Sequence, residues 1–81
     1  MKQIDSVWLA VAEHPDEDIE GICAVQIGDE WMPLIAADPE RLEFIREKAA
    51  AVAAISGKRV KIIRLTQREE VEMFDGRGAK P

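Results

Sequence analysis

Residues 38–57 carry a complete set of signals for one long helix. Asp38 is a good N-cap, and Pro39 follows at the first helical position, where its missing N–H costs nothing. Gly57 is the residue expected just beyond the last turn. Between these ends, residues on one stripe recur at spacings of three and four, namely Leu42, Ile45, Ala49, Val52 and Ser56. This helix therefore has one largely apolar face, which must pack against the rest of the chain.

The sequence before the helix predicts three strands. Residues 7–12 form a short apolar run that an acidic residue and Pro15 bring to an end. Residues 22–27 and 31–36 are two further runs, and the three-residue connection between them predicts a hairpin. Pro33 has no N–H to donate, so the third strand should lie at a sheet edge or contain a bulge.

The sequence after the helix predicts a fourth strand over residues 59–65. Its alternation is imperfect, which indicates two partly covered faces or a bulge. Residues 66–69 then read as a capping box, so we expect a short second helix over residues 67–74, with a strand extension as the alternative. We expect the tail, residues 76–81, to fray.

These elements predict one α+β domain over residues 1–75, with the order β-β-β-α-β and a short C-terminal helix. The expected sheet is an antiparallel meander of three strands, with the fourth strand beside the first and the long helix on one face. In element order alone this arrangement resembles the small partial ribonuclease-H-like domain of HicB-type antitoxins. That resemblance implies an antitoxin-like regulator as one alternative function.

Charge is sorted into two short blocks. Residues 13–20 contain five acids and no base, and residues 58–68 contain five bases and no acid. The whole chain has 16 acids and 11 bases, a formal charge of −5. The charges of the two blocks nearly cancel and form a dipole, and the rest of the chain is mildly acidic. A separated dipole of this kind can dock on a second copy or on a charged partner.

Each charge block supplies three candidate interaction residues. In the acidic block, expected to be a loop that closes on Gly21, they are Asp16, Glu17 and Asp18. In the basic strand they are Arg59, Lys61 and Arg64. The basic strand could track phosphates, but it lacks stacking aromatic residues, so nucleic acid is not the favoured partner. Alternatively, its charges keep a solvated sheet edge from aggregating.

Both faces of the predicted sheet are apolar. On the first strand, Val7, Leu9 and Val11 point one way, and Trp8 with two alanines points the other. One long helix can cover only one face. The other needs the terminal helix, a second copy or a partner protein. We expect an exposed apolar face with three interaction residues, Trp8, Trp31 and Met32.

Catalytic chemistry has little support in the sequence. His14 has no nucleophile motif to serve, and its acidic neighbours lack the spacing and the Gly of a calcium loop. We therefore predict no catalytic residue, no metal and no cofactor. Cys23, the lone cysteine, stands in an apolar run and should be a buried small hydrophobe. With no apolar run of the ~20 residues that a membrane span needs, we expect a soluble cytoplasmic protein with no membrane contact.

Together these features predict a small, non-enzymatic interaction module from a bacterium or phage that binds another macromolecule and forms a homodimer. The first alternative is a nucleic-acid-mimicking inhibitor from a phage or mobile element, with the acidic loop seated in a basic groove. The second is a small RNA- or DNA-binding regulator, antitoxin-like, that uses the basic strand. The pattern does not identify the partner protein.

Overall fold

The computed structural model describes residues 3–14 and 16–77. Its elements, in chain order, are β1 (Val7–His14), β2 (Ile19–Ile22), β3 (Ala24–Ile27), β4 (Glu30–Pro33), β5 (Ile35–Ala36), α1 (Pro39–Ser56) and β6 (Val60–Leu65). All strand pairs among these elements are antiparallel, and α1 is the one long helix. The predicted α+β class is therefore confirmed.

Strand β1 is the centre of the main sheet. Strand β6 pairs along one side of β1, with Val7 opposite Leu65 and Ala12 opposite Val60. On the other side, β2 pairs with the last four residues of β1, and β5 pairs with Trp8 and Leu9. The fourth predicted strand thus lies beside the first, as expected.

The three chain segments around β1 meet in a junction formed by Ala10, Cys23 and Leu34. The Ala10 N–H donates to the Leu34 carbonyl at 3.0 Å, and the Cys23 N–H donates to the Ala10 carbonyl at 2.8 Å. The Leu34 N–H closes the ring by donating to the Cys23 carbonyl at 2.8 Å. All three residues are buried. On one side of this junction β2 and β5 pair with different halves of β1. On the other side β3 and β4 pair with each other as a two-stranded hairpin.

This junction corrects two predicted strands. Residues 22–27 and 31–36 do not form single strands, because each run is interrupted where it meets Ala10. Pro33 ends β4 beside the interruption, where its missing N–H leaves no ladder hydrogen bond to lose. Since β4 pairs only with β3 among the described residues, the predicted edge position of Pro33 is confirmed.

The acidic segment is also more regular than predicted. Residues 13–20 do not form one loop, because Glu13 and His14 extend β1 while Ile19 and Glu20 begin β2. The charged side chains are tolerated in these strands because they lie near Lys61 of β6, an interaction that the local sequence does not reveal. Residues 16–18 remain a turn.

Helix α1 has the predicted ends. The Arg41 N–H donates to the Asp38 carboxylate at 2.8 Å, and Gly57 takes the left-handed conformation with φ of 72°. Ile45 and Ala49 are buried on the predicted stripe. Ser56 is exposed instead, and its hydroxyl accepts a hydrogen bond from the Lys58 N–H at 3.2 Å. The stripe therefore contributes to the core only through its apolar members.

The predicted C-terminal helix is wrong, and so is its strand alternative. Residues 66–75 have neither helix nor strand in the structure. A helix of this length is marginal in water unless its apolar face packs, and here Val71, Met73 and Phe74 are 85%, 78% and 84% exposed. Of the tail predicted to fray, Gly76 and Arg77 form a turn, and residues 78–81 lie outside the described residues.

Candidate interaction surface

Helix α1 covers one face of the main sheet. The buried cluster beneath it consists of Ala10, Ala12, Cys23, Leu34 and Ala36 from the strands, with Ile45 and Ala49 from the helix. Trp8, Val60 and Ile62 are partly buried and pack against this cluster. These strand residues alternate along β1 and β6, so they identify the covered face of the sheet.

The opposite face carries larger apolar side chains, and we call it the open face. Directly opposed residues on neighbouring strands share a face, and Leu9 opposes both Ile35 and Ile63, while Val11 opposes Ile22. The open face of the main sheet therefore contains Val7, Leu9, Val11, Ile22, Ile35, Ile63 and Leu65. Ile22 is 52% exposed and Leu65 is 48% exposed. Val11 is 3% exposed, but neither α1 nor the exposed segment 66–75 covers the other side chains of this face within the described residues.

The hairpin of β3 and β4 extends the open face. Val25 packs against the buried cluster, so Met32, which is directly opposite Val25, also lies on the covered side. By alternation, Trp31 and Pro33 lie on the open side. Trp31 is 68% exposed. The indole therefore adds a large aromatic surface to the open face.

The structure separates the three residues predicted for an apolar interface. Trp8 packs against the core below α1, and Met32 shares that side of the sheet. Trp31 alone belongs to the open face. Sequence reasoning missed its main members, which are Ile22, Ile35, Ile63 and Leu65. The available signal was the alternation of Val7, Leu9 and Val11, since their cross-strand partners must share their face.

One end of the open face carries a cluster of ion pairs. The Lys61 amine lies 3.3 Å from a carboxylate oxygen of Glu13 and 3.3 Å from one of Glu20. The Arg59 guanidinium lies 3.8 Å from Glu13. Glu20 and then Glu13 raise the pKa of Lys61 above its ordinary value. Two of the three predicted basic residues thus already have acidic partners in the same chain.

The remaining predicted charges lie elsewhere. Arg64 is opposite Trp8, on the face away from Lys61, and forms no ion pair within residues 3–14 and 16–77. Asp16, Glu17 and Asp18 are exposed in the turn after β1. The structure therefore does not bring the acidic triad and the three bases together as one docking site.

Cys23, the lone cysteine of the chain, is buried. Burial raises the pKa of the Cys23 thiol, although the Lys58 charge acts in the opposite direction. A thiol held neutral in this way is a weak nucleophile, and the prediction that Cys23 is a buried small hydrophobe is confirmed. In the part of the chain that the structure describes, no three His, Cys, Asp or Glu side chains converge to hold a metal ion.

Comparisons with known proteins leave the open face as the main guide to function. Searches with the chain return no matching family model, curated protein or solved structure. Across residues 3–14 and 16–77, no helix combines the length and the apolar character needed to cross a membrane.

Proposed function

We propose that this chain is a non-enzymatic interaction module that binds a protein partner through its open face. The simplest occupant of that face is a second copy of the chain, which gives a homodimer. The observation that carries the proposal is the apolar face of the sheet opposite helix α1, with Ile22, Leu65 and Trp31 about half exposed or more.

The composition of the core supports this proposal. Four of the eight buried hydrophobic residues among the described ones are alanines, and only Leu34 and Ile45 are large and fully buried. Small residues let α1 approach the sheet closely, but they remove little apolar surface from water. Since burial contributes roughly 25 cal/mol per Å², the larger side chains of the open face represent stabilisation that a single copy does not use.

The geometry of the open face suits a second sheet. Two antiparallel sheets commonly pack face to face, with the apolar side chains of both inner faces interdigitated between them. Trp31 lies toward the end of this surface, and tryptophan is among the residues that dominate interface energies. The isologous contact of a homodimer would place the same apolar surface on both sides.

The ion pairs at the rim favour this apolar contact over docking by charge. Glu13 and Glu20 are occupied by Lys61 in the same chain, so a partner would have to compete for them. Exposed ion pairs contribute at most about 1 kcal/mol each. We therefore expect the association to depend weakly on salt.

Sedimentation of full-length variants tests the open face. Wild-type chain at tens of micromolar should self-associate. Ile22→Ser and Trp31→Ser should each weaken that association strongly, because the small polar serine removes the apolar contact of the original side chain. Ile55→Ser is the matched control, since Ile55 is 88% exposed on α1, away from the sheet. The proposal fails if both open-face variants associate as the control does, or if wild-type chain is monomeric with Trp31 open to quencher.

A further inference from the structure

Residues 69–75, which we call the arm, expose three large apolar side chains in an irregular segment. The arm has the sequence Glu-Glu-Val-Glu-Met-Phe-Asp and follows β6 after three connecting residues. Val71, Met73 and Phe74 are each at least 78% exposed. Acidic and apolar residues alternate from Glu70 to Met73, a pattern that favours a half-buried strand.

Strand β6 offers a free edge of the opposite charge. It pairs with β1 on one side, and no other strand of the described residues pairs with it. Its sequence runs Val-Lys-Ile-Ile-Arg-Leu. Two copies of β6 cannot pair well with each other, because the register that sets Ile62 opposite Ile63 also sets Lys61 opposite Arg64. The edge therefore needs an acidic and apolar strand.

The arm meets that need residue by residue when it runs antiparallel to β6. One register gives five consecutive matches, which are Leu65 with Val71, Arg64 with Glu72, Ile63 with Met73, Ile62 with Phe74, and Lys61 with Asp75. The last pair would compete with existing ones, because Lys61 lies 3.3 Å from both Glu13 and Glu20, and Asp75 lies 3.4 Å from Arg77. A shift of one residue in either direction sets Glu72 opposite Ile63 or opposite Leu65 and loses both charge pairs. Only one antiparallel register near this alignment is therefore favourable.

The central charge pair of this register has no competing partner. Within residues 3–14 and 16–77, neither Arg64 nor Glu72 forms an ion pair. Pairing the arm with β6 would give each of these groups an opposite charge directly across the strands. It would also cover the three apolar side chains of the arm with those of β6.

The arm is poorly placed to fold back on β6 of its own chain. A hairpin with this register would have residues 66–70 as its loop, and that segment contains no Gly, Pro, Asn or Asp. The Arg68 guanidinium also donates a hydrogen bond to the Gln3 side chain at 2.7 Å, which holds the connection against the N-terminal segment. A hairpin within one chain would therefore need a loop without turn-forming residues.

We propose that the arm of one copy pairs with the free β6 edge of a second copy, and that the second copy returns the same contact. The register sets Arg68 opposite itself, so one two-fold axis passes near this residue and relates the two arms. Each Arg68 charge already has Glu70 of its own chain at 3.6 Å. The exchange joins the two sheets edge to edge and leaves their open faces side by side.

This inference rests on the proposed function in one respect, which is that copies of the chain associate. The two contacts use different surfaces and are therefore separable. If both form, the two-fold axes combine to close an assembly of four copies. If the arms alone exchange, the assembly closes at two.

Charge reversal followed by mixing tests the exchange. Arg64→Glu and Glu72→Arg should each weaken the association by about tenfold or more, because each sets like charges opposite one another at both arm contacts. A mixture of the two full-length variants should recover wild-type association, since each arm then meets an opposite charge on its partner. Sedimentation equilibrium of each variant and of the mixture measures this. Glu47→Arg, an exposed position on α1, controls for the change in net charge.

Three further outcomes overturn the exchange, and one overturns the open-face contact instead. A chain that carries both Arg64→Glu and Glu72→Arg is measured as well, and recovery in this double variant but not in the mixture would mean that the arm folds on its own β6. No recovery in either would favour a parallel register. Residues 69–75 align with residues 58–64 with an acid in place of every base, and parallel pairing in this alignment sets Glu72 opposite Lys61. Wild-type association in both single variants, with loss in Ile22→Ser, would remove the exchange and keep the proposed function. Loss of association in the charge variants alone, with Ile22→Ser and Trp31→Ser unaffected, would keep the exchange and remove the open-face contact.

Discussion

The two faces of the main sheet use different kinds of apolar residue. Under helix α1, β1 and β5 place the small residues Ala10, Ala12 and Ala36. On the open face the same strands place Leu9 and Ile35 with their larger neighbours. Alanines permit a helix to lie close, whereas branched side chains stand taller above a sheet. The larger aliphatic side chains of β1 and β5 therefore lie on the face that the chain leaves open.

This difference separates stability from association in the molecule. Residues of the covered face contact α1 within one chain, so we expect their loss to lower the free energy of unfolding. Apart from Val11, which is buried, residues of the open face have no covering element among the described residues, so we expect their loss to act mainly on binding. Substitutions on each face, paired with matched controls, can break this division or sharpen it.

The largest effect should come from the helix side of the core. Ile45→Ala should lower the free energy of unfolding by about 2–5 kcal/mol, because Ile45 is fully buried and its truncation leaves a cavity. Denaturant unfolding measures the change. Ile55→Ala on the same helix should stay within about 0.5 kcal/mol of wild type, because Ile55 is 88% exposed. Equal losses in the two variants would mean that α1 covers the sheet with a different stripe.

A smaller loss should follow when the junction is overpacked. Ala10→Val adds two methyl groups where three segments meet at a residue with no exposed surface, and it should cost about 1–3 kcal/mol. Ala24→Val is the control, because Ala24 is an exposed strand residue where a β-branched side chain is tolerated. Thermal or denaturant unfolding compares them. A neutral Ala10→Val would show that the helix does not approach the covered face closely.

The smallest loss should come from the cap of the covering helix. Asp38→Ala removes the acceptor of the Arg41 N–H and should cost about 1 kcal/mol. Asp38→Asn keeps a side-chain oxygen and should retain most of that stability. Unfolding midpoints of the two variants measure the difference. A cost for Asp38→Ala above that of Ile45→Ala would contradict the view that packing, more than capping, fixes α1 on the sheet.

The sequence predicts the parts of the fold that depend on neighbouring residues. Asp38 and Gly57 define the ends of α1 because capping acts over one turn, and both ends are confirmed. The fourth strand beside the first is also confirmed, since a helix packed on the sheet returns the chain to it. The junction at Ala10 could not be predicted, because three segments distant in sequence meet there.

The candidate site is only partly readable for a related reason. Alternation along residues 7–12 shows that both faces are apolar, but it does not show which face the helix takes. That choice depends on packing, and the resulting assignment separates Trp8 from Trp31. In the arm, the sequence pattern predicts an element that the structure does not form. Its acids and apolar residues fit a helix pattern, but a short helix needs a surface to pack on, and none is supplied in the described chain.

Two neighbouring isoleucines of β6 test the central claim most directly. Ile62 packs against the buried cluster, and Ile63, the next residue, opposes Leu9 on the open face. Ile62→Ala should lower the free energy of unfolding of dilute chain by about 2–4 kcal/mol, whereas Ile63→Ala should lower it by about 1 kcal/mol or less and should weaken self-association in sedimentation. Equal losses of stability, with association unchanged in Ile63→Ala, would contradict the division between a covered face that stabilises the fold and an open face that binds.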